Sequence, residues 1–360
     1  MSDMIATTNQ RLQALLGYQK PDRVPIGYWG IPIQAPGLKE RFPDFSIASA
    51  YENPDLTFEV MLWVAEKYRW DLVPHFFSHT VLGAWDFGGT VQMPRGRFQG
   101  SLSIKRTPVQ TRNDVFSLKM PDPELAGGIP LGTKFAELQV RHGFPAWLYV
   151  RSPFCSASNT CGLERFCRWM MKEPSLCHRL LRMATDHIYD VLDRWLLRFG
   201  VENTFFMMSS PNESNQVISP VQFQQFALPY HIELQNRLRN RGVNRFYFHI
   251  CGDQNLNLPH LVELSRLWPH PSILSFGHEV DLELAGGLFP KDIMFGNVEP
   301  ALLQTETPER VYEVCKVAVE KGKKLPGGFI LGVGCELPWY SRPGNVEAMT
   351  RAAEDHGRYY

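Results

Sequence analysis

The stretch FYFHICGDQNLNLPHL, residues 246–261, sets His249 and Cys251 two apart where an aromatic, apolar run stops at Gly252. Side chains two apart on a strand point to the same face. An imidazole and a thiol therefore share one side of a strand end. A second thiol, Cys335, holds the equivalent place after a later apolar run, in LGVGCELPWYSRPGN. One nitrogen and two sulfurs form the donor set of a zinc centre with three protein ligands and an open fourth position. The alternative for each residue alone is a packed, hydrogen-bonded strand end. The other cysteines lack this context. Cys315 lies on the core face of a helix, and Cys155, Cys161, Cys167 and Cys177 spread over a loop and helices as small buried hydrophobes. His231, His260 and His270 read as surface or helix-flank residues.

Two strand ends far apart in sequence meet only if the fold closes on itself. The second half of the chain alternates short apolar runs with helical stretches. AWLYVRSPF, NTFFMMSS, NRFYFHI, SILSFG, DIMFGN and GFILGVG read as strands. Between them lie a helix over Leu176 to Phe199, one from Pro220 to Arg241 with a kink at Pro229, and one opened by Thr307 and Pro308 and ended by Gly322. In the first half, Thr7 to Leu16 reads as a helix, Asp55 caps a helix through Tyr68, and DLVPHFF follows as a strand. Glycines and a proline break residues 88–120 into short alternating pieces, expected to be antiparallel insertions. Strands each followed by a helix or long loop indicate parallel pairing. The expected fold is an α/β (β/α)8 TIM barrel forming a single domain over 1–360, with catalytic groups at the C-terminal ends of its strands. An open doubly wound sheet would call for a Gly-rich dinucleotide fingerprint after its first strand, and none stands there.

Composition narrows the partners. The chain has 360 residues, 44% hydrophobic and 21% charged, with a formal net charge of zero. There is no Lys/Arg run, so nucleic acid is not expected as a partner. No apolar stretch nears the ~20 residues that span a bilayer. The first residues lack the charged-then-apolar layout of a signal peptide, and seven irregularly spaced cysteines suit reduced thiols in a cytoplasm.

Several segments in order resemble the uroporphyrinogen decarboxylase superfamily, and within it the corrinoid-dependent methyltransferases. They are RLQALLGYQKPDRVPIGYWG, GLERFCRWMMKEPSLCHRLL, ISPVQFQQFALPYH, FHICGD, FGNVEP and GVGCELPWYSRPGNVEAM. The resemblance covers nearly the whole chain and implies a (β/α)8 barrel. Porphyrinogen decarboxylases carry an arginine-rich R-x-A-G-R signature for substrate carboxylates, but IGYWGIPIQAPG, residues 26–37, holds no arginine. The methyltransferase branch uses H-x-C and a distant Cys for zinc, which the resemblance carries onto His249, Cys251 and Cys335.

The resemblance implies a zinc-dependent methyltransferase. It would move methyl between a small-molecule heteroatom, a thiol or thioether or a methoxyaromatic, and a corrinoid cobalt. An aryl methyl ether O-demethylase component is the alternative. A tetrapyrrole decarboxylase and a non-catalytic module that binds a corrinoid protein stand behind these. No D-x-H-x-x-G pattern occurs in the chain, so the corrinoid is expected on a separate protein or as free cofactor. Glu213, in SSPNESN, is the candidate fourth zinc ligand or proton acceptor, with a loop or helix-capping carboxylate as the plain reading. His278, beside Glu279 after SILSFG, is a second candidate at a strand end. Asn297 is expected to fix its loop through backbone hydrogen bonds. Trp85, Phe87 and Trp339 would either wall the site or pack in the core.

Overall fold

The computed structural model describes residues 10–71, 74–76, 81–96 and 99–359. A hairpin comes first, β1 (Thr90–Gln92) antiparallel to β2 (Ser103–Arg106). Six parallel strands follow, neighbours in space as in sequence: β3 (Ala146–Arg151), β4 (Thr204–Ser209), β5 (Tyr247–Ile250), β6 (Ile273–Phe276), β7 (Ile293–Val298) and β8 (Phe329–Val333). The circle closes through the segment around Ile26, which bridges Leu331 in parallel. There Gly27 N donates to Leu331 O and Leu331 N to Pro25 O, both at 2.9 Å. Asp71 N donates to Ile26 O at 2.9 Å, so the chain leading into DLVPHFF runs beside this first strand. Leu72, Val73 and Phe77 of that expected strand lie outside the described residues, as do Thr7 to Asn9 of the first expected helix. The architecture is the (β/α)8 barrel expected from the alternation.

Strand alternation sorts the side chains into two layers. Inside the barrel, Phe205, Met207, Tyr247, Ile273, Ile293, Phe295 and Ile330 form one apolar plug, met by Leu15 and Leu16 from the helix over 10–16. Outside, Val150, Phe206, Phe248, Leu274, Met294 and Leu331 pack against the helices. The N-terminal end of the barrel is pinned by Asp71, whose carboxylate takes Arg11 at 2.5 Å and Arg23 at 2.8 Å. The plug leaves the C-terminal ends of the strands as the place for polar groups.

Four local details differ from the sequence expectation, each for a physical reason. The helix expected from Asp55 is Pro54–Tyr68, and its cap is Asn53, whose side chain accepts from Leu56 N, with Pro54 supplying the preset φ of a first helical residue. The stretch 88–120 does contain the antiparallel pair, but it ends in a helix, Arg112–Ser117, opened by a reciprocal capping box between Thr111 and Asp114. The SPF of AWLYVRSPF is not strand, because Ser152 caps and Pro153 begins the helix Pro153–Cys161. The expected kink near Pro229 takes the form of a π-turn over Phe223–Ala227, where Leu228 N reaches back to Phe223 O. Proline lacks an N–H and crowds the carbonyl four residues before it, and the wider turn relieves both. The helix Pro308–Gly322 has the expected Thr307 cap. No helix among the described residues is long and apolar enough to cross a membrane.

Barrel closure leaves no room beside Gly332. A Cβ there would overlap the Phe295 ring and lie 2.8 Å from Gly27 O on the first strand. Gly332→Ala is expected to cost roughly 1–3 kcal/mol, as overpacking does. A lowered thermal midpoint by calorimetry checks this, and an unchanged midpoint would contradict the tight first-to-last strand contact.

Candidate metal centre

The register of the parallel sheet builds the site. Arg151 pairs with Ser209, Ser209 with His249, and His249 with Ser275 across β3, β4, β5 and β6. These four inward side chains form one polar row above the apolar plug. Hydrogen bonds run along it. Arg151 Nη1 donates to Ser209 Oγ at 2.8 Å, and His249 Nδ1 lies 3.1 Å from Ser275 Oγ. With Nδ1–H donating to Ser275, the lone pair of Nε2 is left for an electrophile, the arrangement usual for a metal-ligating imidazole. The indole of Trp29 meets the same imidazole edge-on, ring centres 3.9 Å apart.

Cys251 follows β5 directly, and Cys335 stands two residues past β8. The loop that carries Cys335 is held on both sides. Gly334 N donates to Val298 O at 2.8 Å, and Leu337 N donates to Trp29 O. Gly30 makes that approach possible, since its φ is +134° and a Cβ would sit 2.7 Å from Leu337 O. The result is a cluster of His249, Cys251 and Cys335 whose ligand atoms all lie within 4.8 Å of one another. Two sulfurs ~2.3 Å from a tetrahedral ion stand ~3.8 Å apart, so the cluster needs only a small contraction to hold one.

The electrostatics prepare the same residues. The Cys251 thiol donates to the Cys335 sulfur, and this donation, joined by the His249 imidazole, holds Cys335 well below the ordinary thiol range. The same bond, with burial, pushes Cys251 up. Burial keeps His249 toward its neutral form. A neutral imidazole and a thiolate are the states that bind a metal. Above the donors opens a cavity of about 180 Å³, lined also by Trp29, Phe76, Tyr149, Arg151, Met207 and Glu336. Burial, then the Cys335 charge, pushes the Glu336 carboxyl up to about 8, with Arg151 opposing.

The other residues singled out from sequence are placed elsewhere. Glu213 is buried behind β3 and β4, where it accepts from Ser152 Oγ and sits 2.8 Å from His231 Nε2. It is not among the residues that line the cavity. His231 is therefore no surface residue; it is 2% exposed and shares this buried pair. His278 is exposed, 3.6 Å from Glu279, on a groove beside the mouth. Asn297 does fix a loop through backbone hydrogen bonds, but from within β7 it ties down the loop after β6, donating to Gly277 O at 3.0 Å and Val280 O at 2.6 Å. Phe87 packs against His187, Trp339 near Tyr51, and Trp85 against the core, so the aromatic wall comes instead from Trp29, Phe76 and Tyr149. Arg151 and Tyr149 were legible in principle, since alternation along AWLYVR puts Trp147, Tyr149 and Arg151 on one face. Glu213→Ala is expected to lower stability by about 1–3 kcal/mol, because His231 would be left buried without its partner. Thermal unfolding checks this, and metal loss at unchanged stability would instead put the carboxylate at the cluster.

Comparisons with known proteins agree with this architecture. Over 215 residues the chain is 24% identical to the methylated-thiol–coenzyme M methyltransferase of Methanosarcina mazei, covering 57% of this chain and 52% of that protein. The chain thus spans about half the length of the curated relative it matches. A solved structure of a methyltransferase from Methanosarcina mazei superposes with a TM-score of 0.78 over 97% of this chain and 98% of that one, at 19% identity, which is a likeness of fold. The family model for uroporphyrinogen decarboxylase (URO-D) matches residues 7–356, and the chain belongs to that family.

Proposed function

We propose that the protein moves a methyl group between the heteroatom of a small molecule and the cobalt of a corrinoid, with zinc held by His249, Cys251 and Cys335. The observation that carries this reading is the donor set: one imidazole and two thiols, mutually within 4.8 Å, under an open cavity at the C-terminal end of the barrel. Two thiolates and a neutral imidazole cancel the charge of a divalent ion, and sulfur donors favour zinc over hard cations. Three protein donors leave one position for substrate. Bound there, zinc would act as a Lewis acid that lowers the pKa of a substrate thiol or polarises a methylated heteroatom.

The chain's own side chains supply the rest. Ser275 holds the imidazole through Nδ1, and the Trp29 edge fixes its plane. Phe76, Tyr149 and Met207 line the approach and exclude water from the reacting heteroatom. The cavity of about 180 Å³ admits a small molecule, and a corrin would lie across its mouth. The corrinoid would arrive on a separate protein. Sulfur is the favoured heteroatom, on the thiolate-rich donor set and on the methylated-thiol activity named for the relative. Tetrapyrrole decarboxylation is disfavoured by charge. Segment 26–37 has no arginine, and Arg11 and Arg23 engage Asp71 at the opposite end of the barrel.

The metal is tested directly. Purified protein is expected to hold about one zinc per chain, strongly reduced in Cys251→Ala and Cys335→Ala by metal analysis, with the fold retained. Full zinc in both variants would remove the assignment. For the reaction, zinc-replete protein should change the visible spectrum of methylcobalamin or cobalt(I) under anaerobic conditions with a thiol or a methylated donor. A constant spectrum with thiols, methyl thioethers, methoxyaromatics and a candidate corrinoid protein would overturn the reading. No coproporphyrinogen is expected from uroporphyrinogen in an anaerobic assay, and its appearance would restore the decarboxylase.

A further inference from the structure

Cys251 and Cys335 follow β5 and β8, strands that β6 and β7 hold apart in the sheet. Between the two cysteine loops lies the loop after β6, which contributes none of the three clustered residues. Its first residue, Gly277, abuts Gly252, the neighbour of Cys251. A Cβ on Gly277 would lie 2.8 Å from Gly252 N and 3.0 Å from Gly252 O. On the other side Gly334, the neighbour of Cys335, abuts the same loop. A Cβ on Gly334 would lie 2.8 Å from His278 N and 3.2 Å from the Gly277 carbonyl carbon. Three stretches of backbone thus touch in series, with a cysteine at each end. The middle stretch is fastened without help from any donor. Asn297 Nδ2, from β7, donates to Gly277 O at 3.0 Å and Val280 O at 2.6 Å, and Val280 N donates to Gly277 O at 3.2 Å. From the β5 side, Asn255 Nδ2 donates to Glu279 O at 3.1 Å.

From this geometry we infer that the loop after β6 is a spacer that sets the distance between Cys251 and Cys335, with Gly277 and Gly334 as positioning residues for the metal centre. The inference rests on the proposed zinc reading and adds what presets the donors. Backbone suits a spacer, because a planar peptide has no rotamers through which it could yield. Only a residue without a Cβ lets two backbones meet this closely. An added methyl on Gly277 would meet the backbone of Gly252 and shift Cys251 with it. An added methyl on Gly334 would meet the backbone of His278 and shift Cys335. Metal–ligand distances hold to within about 0.2 Å, so displacing either sulfur weakens the centre. His278 takes part through its backbone, while its ring stands exposed on the groove beside the mouth.

Glycine-to-alanine variants of the full chain test this. Zinc affinity is measured by chelator competition, donor geometry by the visible bands of bound cobalt(II), and stability by the thermal midpoint. Gly277→Ala and Gly334→Ala are each expected to weaken zinc binding about 10- to 100-fold, the range for residues that orient ligands from outside the donor set. Both should also alter the cobalt(II) bands, which a role in packing alone would not move. Gly287→Ala, on the helix Leu282–Leu288 where a Cβ meets nothing within 4 Å, is the matched control and should keep affinity and bands. Asn297→Ala adds no atom and frees the spacer, so it should weaken zinc likewise, and it decides the matter if the alanine variants at the two glycines fail to fold. Zinc affinity and cobalt(II) bands unchanged in these variants, with only the midpoint lowered, would overturn the inference and leave the metal reading intact. An unaltered protein that binds neither ion would overturn the reading beneath it as well.

Discussion

The cross-strand register of β3 to β6 is the constraint on which everything else rests. It sets Arg151, Ser209, His249 and Ser275 at one height inside the barrel. A slip of one residue in any strand would turn its polar member outward among the helices and put an apolar one in its place. The register is in turn enforced from below. Phe205, Met207, Tyr247 and Ile273 must face inward to join the plug, and the same alternation then delivers the polar row two residues later. Packing energy and site geometry are therefore specified by one pattern.

The third donor depends on a different device. Cys335 lies beyond its strand, where alternation no longer dictates direction. Its loop is fastened instead to Val298 at the end of β7 and to Trp29 on the first strand. The segment from Trp29 to Gly30 thus serves twice, bracing His249 by its ring and the Cys335 loop by its backbone. A segment that in a tetrapyrrole enzyme would carry arginines here carries an indole and a glycine, and its work is to hold donors in place.

Strand identity, helix ends and the three residues that cluster, His249, Cys251 and Cys335, were legible because each leaves a periodic or punctuated trace. His249 and Cys251 sit two apart at the end of an aromatic run, and Cys335 follows a run that ends in glycines. The role of Glu213 was not legible. Its partners are Ser152 and His231, 61 and 18 residues away, and only the folded chain brings them together. His231 was misread as a surface residue because the π-turn before it changes which face of the helix turns inward. Trp29 left no periodic signal, since polar and apolar residues do not alternate along IGYWGIP. Arg151 left one, the alternation of AWLYVR, but its place in the polar row depends on Ser209 of the neighbouring strand.

Trp29 also divides the interior of the barrel. It lines the cavity over the donors and, on its other side, a small pocket of about 40 Å³ among Gly27, Phe295 and Ile330. Among the described residues, Trp29 and its neighbours floor the cavity that His249, Cys251 and Cys335 face. If a large partner seats across that opening, as proposed, an order follows for arrivals: the small molecule must enter first, and it cannot leave until that partner departs. In kinetic terms the two reactants would add in compulsory sequence, and an excess of the large one would inhibit by sealing the empty chamber.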